Sequence, residues 1–203
     1  MSLFERLDEV FGPALAAPLF YAHSPALRFA LSGGETRVAQ FLQAIDRART
    51  VLDAAFAGAE ELTVILQLWD ETPENHQQPG KLWQKAGASL RELGITPPTP
   101  EIRALSRPDE ITRVFFAFRL PNARLPELLW GVLAADFGFS ASLSARLFLA
   151  APELGMLACP YDSRGMDIIG PNAARLAQLY AEFNGWLLDY DRAQMDTFFG
   201  AAP

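Results

Sequence analysis

The sequence is short of the residues from which most metal sites and many catalytic sites are built. Among its 203 residues are two histidines, His23 and His76, and one cysteine, Cys159. Neither histidine stands in an HExxH, HxH or Cys-His spacing, so the pattern predicts no metal site. The turn from Ser32 to Thr36 lacks the glycine spacing of a dinucleotide-binding loop, and no cofactor is expected. A single cysteine excludes an internal disulfide, and its place in a predicted strand indicates a buried, inert thiol.

Positive charge and long apolar runs are scarce as well. Lys and Arg number 17 against 24 Asp and Glu, a net charge of -7, which disfavours nucleic acid and suits a protein partner with a basic surface. The longest uncharged stretch, Phe11 to Leu27, contains prolines 13, 18 and 25, so no membrane span is predicted. The acidic first residues do not resemble a signal peptide. We expect a soluble, acidic, cytoplasmic protein without nucleic-acid or membrane partners.

What is present is the composition of one globular domain, residues 1–203, in which half of the residues are hydrophobic. Alternation predicts a strand near Leu27 to Leu31, and a β-branched apolar run predicts another over Leu62 to Trp69. Between them, apolar residues at helical spacing predict a helix capped by Thr36. Its buried face is expected to comprise Val38, Phe41, Leu42, Ile45, Leu52 and Phe56. Strand, helix and strand in this order predict a right-handed crossover.

The rest of the chain changes character after Gly138. Before it, helices near 81–93 and 125–137 flank a proline-rich surface loop at 96–100 and a strand over 111–120. After it, three closely spaced strands, near 143–150, 155–161 and 166–170, predict an antiparallel meander followed by C-terminal helices. The predicted fold is therefore α+β: a mixed sheet of about six strands, crossover helices in the first two-thirds, then the meander and terminal helices.

Two C-terminal segments carry the most distinctive side chains, YDSRGMDIIG from Tyr161 to Gly170 and WLLDYDR from Trp186 to Arg192. Asp162 is expected to accept turn N–H bonds, and Gly165 to take a positive φ in the hairpin. Asp167 shares a strand face with an apolar neighbour, Ile169. It is therefore expected to be half-buried and to require Arg164 or another donor.

Two interpretations of these side chains remain open. In the functional one, Asp162, Arg164, Asp167 and Asp191 form the catalytic candidates, either as an acid/base set or as a group that recruits a divalent cation. In the structural one, Asp162 forms a turn, Asp167 pairs with Arg164, and Asp191 caps the last helix. The structural interpretation is favoured because no histidine or lysine completes a catalytic set.

The same residues resemble the C-terminal signature of a bacterial family catalogued as domain of unknown function 3885. The resemblance is carried by YDxRGMD and WLLDYDR, whose motif residues are Tyr161, Gly165, Met166, Trp186, Asp189, Tyr190 and Arg192. Segments 27–29, 41–47 and 62–67 are similar to the N-terminal half of that family. The resemblance implies a bacterial origin and no assigned activity.

Three hypotheses about function follow. The first is a non-enzymatic protein-interaction module, of the immunity or regulatory type, that masks a basic partner. The second is a small hydrolase or phosphoryl-handling enzyme that uses Asp162, Asp167 or Asp191 with Arg164 as an anion clamp. In the third, the C-terminal segments only stabilise the fold. Whether the protein is an enzyme is left open at this point.

Overall fold

A computed structural model describes residues 1–12, 15, 18–70, 79–105 and 111–200. The α-helices are α1 (Leu3–Phe11), α2 (Leu19–Ala22), α3 (Arg37–Ala55), α4 (Pro79–Glu92), α5 (Leu125–Phe137), α6 (Ala173–Glu182) and α7 (Arg192–Phe199). The strands are β1 (Ala26–Ala30), β2 (Glu61–Asp70), β3 (Glu101–Leu105), β4 (Thr112–Pro121), β5 (Arg146–Ala151), β6 (Met156–Asp162) and β7 (Gly165–Ile169). The α+β class is confirmed. His76 and most of the polar stretch around it lie outside the described residues.

The strands form one sheet in the order β1-β7-β6-β5-β2-β4-β3. Every described neighbour pair is antiparallel, and the strands number seven, where the sequence predicted a mixed sheet of about six. The additional strand is β3, which follows the proline-rich loop and was missed because its short pattern is mostly exposed. The predicted meander of β5, β6 and β7 is confirmed.

The meander also separates the two strands that α3 connects. β1 and β2 lie in the same sheet, but β7, β6 and β5 lie between them. The connection through α3 therefore spans three intervening strands and does not join neighbours. Antiparallel pairing throughout follows from this insertion, because the three hairpin-linked strands occupy the positions where parallel pairing was expected.

The predicted buried face of α3 is right at four of its six residues: Phe41, Leu52 and Phe56 are buried, and Ile45 is partly buried against the core. Val38 and Leu42 are 60% and 59% exposed, whereas Ala44, Ala48 and Ala55 are fully buried. The prediction is wrong at Val38 and Leu42, and it omits the alanines whose small side chains bring the α3 backbone close to its neighbours. A hydrophobicity count weights Val and Leu above Ala, which explains both errors.

The two edges of the sheet differ. At β1, the C-terminal segment covers the edge: Phe29 forms a β-bridge with Leu187, and the Leu188 N–H donates to the Arg28 carbonyl oxygen at 2.9 Å. At the other edge, β3 pairs with β4 and with no further described strand. Among the described helices, none combines the length and apolarity that crossing a membrane requires.

Candidate functional site

The β1–β7 register brings a predicted candidate, Asp167, directly opposite an arginine that the sequence did not single out. Asp167 pairs with Arg28 on β1 and with Cys159 on β6. Directly opposed residues in antiparallel strands point to the same face, so all three side chains lie on one side of the sheet. Arg28 is 7% exposed, and Asp167 is 0% exposed, so Asp167 is fully buried and not half-buried as predicted.

Arg28 and Asp167 form a bidentate ion pair. The Arg28 Nε donates to Asp167 Oδ1 at 2.7 Å, and Nη2 donates to Oδ2 at 3.0 Å. The Phe20 backbone N–H, in the first turn of α2, also donates to Oδ2 at 3.1 Å. The Asp167 carboxylate is thus satisfied by three donors from two other elements, which is what a buried carboxylate requires. Its partner is Arg28 and not Arg164, which corrects the predicted pairing.

A second predicted candidate, Asp191, binds the same guanidinium. The Arg28 Nη1 donates to Asp191 Oδ2 at 3.0 Å, and the Tyr21 hydroxyl donates to Asp191 Oδ1 at 3.0 Å. Asp191 stands at the N-cap position of α7 as predicted, but its side chain makes no capping hydrogen bond there. The carboxylate, 6% exposed, is oriented toward Arg28 because a buried charge gains more from an opposite charge than from a neutral N–H.

Aromatic rings enclose the guanidinium. Arg28 Cζ lies 4.6 Å from the ring centroid of Tyr21, 4.9 Å from that of Phe20 and 5.5 Å from that of Tyr161. Each ring presents a π face to the cation and excludes water from it. Six side chains make up this Arg28 cluster: Phe20, Tyr21, Arg28, Tyr161, Asp167 and Asp191.

Burial and charge shift the ionisation of the Arg28 cluster. Burial alone lowers the pKa of Arg28, but the hydrogen bonds and charge of Asp167 outweigh it, and the pKa is raised. Burial, assisted by the charge of Asp167 and opposed by that of Arg28, raises the pKa of Tyr161 to about 12. Arg28 is therefore a permanent cation and Tyr161 a neutral phenol at neutral pH.

The other two candidates lie apart from the Arg28 cluster, on the β6–β7 hairpin. Arg164 donates from Nε and Nη2 to Asp162 Oδ2 at 3.0 and 2.5 Å, and its N–H donates to Asp162 Oδ1 at 2.8 Å. The turn-forming role of Asp162 follows from the last of these bonds. The Arg164 side chain is 83% exposed, so this pair is a surface ion pair.

Gly165 is required for space and not for the predicted positive φ. It is absent from the positive-φ glycines of the described chain. A Cβ at Gly165 would lie 1.9 Å from the Tyr161 hydroxyl oxygen and 3.1 Å from the Phe29 carbonyl oxygen. The next residue, Met166, is fully buried in the core. These residues set the distance between β7, β1 and the ring of Tyr161.

The WLLDYDR residues hold the C-terminal segment together. Trp186 stacks on Phe183 with ring centroids 5.3 Å apart. Arg192 donates to the carbonyl oxygen and the side-chain oxygen of Asn184 and forms an ion pair with Asp196 at 3.2 Å. The two remaining motif residues, Asp189 and Tyr190, open the 3-10 helix Asp189–Asp191, and Tyr190 is 86% exposed.

The chemistry open to the Arg28 cluster is narrow. It contains two carboxylates and one guanidinium, and the carboxylate oxygens all accept hydrogen bonds from within the protein. Among the described residues, no three His, Cys, Asp or Glu side chains are placed to hold a metal ion. Cys159 is 1% exposed, and burial raises the pKa of its thiol, so the neutral thiol predominates. The geometry is that of a buried ion-pair network joining α2, β1, β7 and the C-terminal segment.

The fold and the Arg28 cluster together define an α+β protein with an open antiparallel sheet. One edge of this sheet is stabilised by Arg28, which binds two carboxylates. Over residues 3–191 the chain matches the family model described as Domain of unknown function (DUF3885), and it belongs to that family. The resemblance inferred from the sequence is thereby confirmed. Comparison with curated proteins and with solved structures returns no match.

Proposed function

We propose that the protein is a single-domain, cytoplasmic, non-enzymatic interaction module of the immunity or regulatory type, and that its partner is a protein with a basic surface. The observation that carries the proposal is the edge of the sheet at β3, where no further described strand pairs. An unpaired edge presents a row of backbone N–H and C=O groups to which an extended segment of another protein can add as a further strand.

The β3 edge carries the features that favour such pairing. Ile102 and Leu105 on β3 are 49% and 42% exposed, and Ile111, just before β4, is 53% exposed. The strand contains neither proline nor lysine, and its register with β4 shows no bulge. Proline, lysine and bulges are among the means by which proteins protect exposed edges, and β3 has none of them. Its two charged residues, Glu101 and Arg103, are engaged by α1.

The edge is also held in place by α1, through Glu101 and Arg103 on the face opposite Ile102. The Glu101 carboxylate accepts the Leu3 N–H at 2.9 Å, at the start of α1. Arg103 binds Asp8 of α1 through two bonds of 2.9 and 2.7 Å, and its Cζ lies 4.3 Å from the Phe4 ring centroid. A strand fixed in this way loses little conformational freedom when a partner binds, which raises affinity.

Electrostatics selects the kind of partner. The net charge of -7 attracts a basic surface over a distance of about a Debye length and repels other acidic proteins. Association with a basic partner should therefore be fast at low salt and weaken as the ionic strength rises. This salt dependence distinguishes a functional complex from nonspecific apolar association at the same edge.

The experiment is a pull-down from the native host with tagged wild type and two matched variants, followed by mass spectrometry and measurement of the purified complex. Ile102→Lys places a charge on the edge, while Leu42→Lys makes the same change at an exposed position on α3. We expect a stoichiometric basic partner with wild type and Leu42→Lys, and its loss with Ile102→Lys. Recovery of no stoichiometric partner, or equal recovery with both variants, contradicts the proposal.

The enzymatic alternative has less support. A hydrolase or phosphoryl-handling enzyme needs carboxylates or cations that can reach a substrate. Asp167 and Asp191 are buried and bonded within the Arg28 cluster, and Asp162 is paired with Arg164 on the hairpin. The four candidates thus divide into two internally satisfied groups, an arrangement that favours a structural role for each.

A further inference from the structure

A cleft of about 410 Å³ lies on a different part of the molecule from the Arg28 cluster and the β3 edge. Its walls are the end of β2, the outer side of α4 and the segment 142–144 that precedes β5. The volume falls within the range of sites that hold small ligands, roughly 300 to 1,000 Å³. Its floor is apolar, formed by Leu68, Leu82, Ala86 and Leu143, each less than 10% exposed.

Packing and a backbone hydrogen bond fix the wall of the cleft that residues 142–144 form. The Leu143 N–H donates to the Gly131 carbonyl oxygen of α5 at 2.8 Å. A Cβ at Gly131 would lie 2.5 Å from Leu93 Cδ1 and 3.3 Å from Leu143 Cβ, so glycine allows the segment and α5 to approach this closely. The cleft is therefore preformed on this side, and a ligand need not order it on binding.

The rim is polar and cationic. Among the described residues that line the cleft, Lys85 is the one with a charged side chain, and the serines 89, 142 and 144 supply hydroxyl groups beside it. Lys85 forms no ion pair and no hydrogen bond with any other described residue. An ammonium group that has no carboxylate partner within the described part of the chain, above an apolar floor, favours an anion at this place even though the net charge of the protein is -7.

A second, smaller cavity of about 160 Å³ adjoins the first and shares Trp69, Leu143 and Ser144 with it. There Arg146 Cζ lies 5.4 Å from the Trp69 ring centroid, and Arg146 has no carboxylate within ion-pair distance among the described residues. Asp136 and Asp162 line this cavity too, so it is a poor place for an anion. The anionic group of a ligand is therefore expected in the larger cleft, at Lys85.

We infer that the larger cleft binds a small organic anion, whose apolar part contacts Leu68, Leu82 and Leu143 and whose phosphate or carboxylate group lies at Lys85. The exposed indole of Trp69 borders the apolar part and suits a planar ring. This inference is independent of the proposed partner binding at β3, because the two surfaces share no residue.

The test is calorimetric titration of the full chain with phenyl phosphate, benzoate and phenol. The first two carry the alternative anionic groups on one ring, and phenol has the ring without the charge. The two lysines of the sequence, Lys81 and Lys85, are both exposed on α4. Lys85 lines the cleft and Lys81 does not, so the two positions give a matched pair of variants. Lys85→Gln and Lys81→Gln change the net charge equally.

We expect millimolar or tighter binding of at least one anion and none of phenol. Lys85→Gln should weaken that binding about fivefold or more, as for loss of one charge contact, and Lys81→Gln should leave it within about twofold. Binding of one anion and not the other identifies the anionic group. The inference is overturned if neither anion binds, if phenol binds as well as the anions, or if the two variants behave alike.

Discussion

Replacing Arg28 by methionine removes the cation of the Arg28 cluster while keeping a long, apolar side chain in its place. Asp167, which is 0% exposed, then loses two of its three donors and keeps the Phe20 N–H. Asp191 keeps the Tyr21 hydroxyl as its donor. Two buried carboxylates therefore face each other without a neutralising charge, a state that proteins tolerate poorly.

The expected loss can be estimated from these contacts. Breaking a buried pair by removing one partner destabilises a protein by about 3 to 5 kcal/mol. Because Asp167 has no access to water, its unpaired charge should cost an amount in the upper half of that range. Asp191 lies nearer the surface, so its carboxylate can be rehydrated and should cost less. We therefore expect a loss of about 4 kcal/mol, which for a chain of this length lowers Tm by about 8 to 16 °C.

The assay is urea unfolding followed by circular dichroism, with Arg164→Met as the matched control. Arg164 pairs with Asp162 at the surface, so its loss should change the unfolding free energy by less than about 1 kcal/mol. A second control replaces Arg28, Asp167 and Asp191 together by Met, Leu and Leu. This variant should be more stable than Arg28→Met alone, because no unpaired charge remains buried. If Arg28→Met is as stable as Arg164→Met, the Arg28 cluster does not hold the fold as argued.

Two further predictions concern neighbours of the Arg28 cluster. Gly165→Ala should destabilise the protein by about 1 to 3 kcal/mol, because its Cβ would overlap the Tyr161 hydroxyl, while Gly185→Ala, with nothing within 4 Å, should be neutral in the same unfolding assay. Burial raises the pKa of Tyr161 to about 12, above its value of about 10 in the unfolded chain. The associated stability is present in full below pH of about 10 and is lost as the pH rises toward about 12. Unfolding free energies measured across that range should fall in wild type and fall less in Tyr161→Phe; parallel curves would contradict the assignment.

The sequence predicted what depends on local patterns and missed what depends on distant pairing. Helix α5, the β5–β6–β7 meander and the turn role of Asp162 follow from periodicity and turn residues within a few positions of one another. The sequence also predicted that Asp167 requires a donor, with the local residue Arg164 named first. Its donor, Arg28, lies 139 residues away and became its neighbour through the β1–β7 register, which no local pattern encodes. Alternation in the strand near Leu27 to Leu31 predicts Arg28 on the solvent side, so the local pattern does not indicate that its side chain is buried.

The motif residues of the C-terminal segments lie at the β1 edge of the sheet, and the proposed partner binds at the opposite edge, β3. Asp191 binds Arg28, Arg192 binds Asn184, and residues 187 and 188 pair with β1, so this part of the signature closes one edge. No described strand closes the β3 edge, at the far side of the sheet. Changes in the Arg28 cluster should therefore lower stability with partner binding retained under folded conditions, and Ile102→Lys should remove binding at unchanged stability. A folded Arg28 variant that fails to bind the partner would mean that the two edges are not separate, and that the signature takes part in recognition.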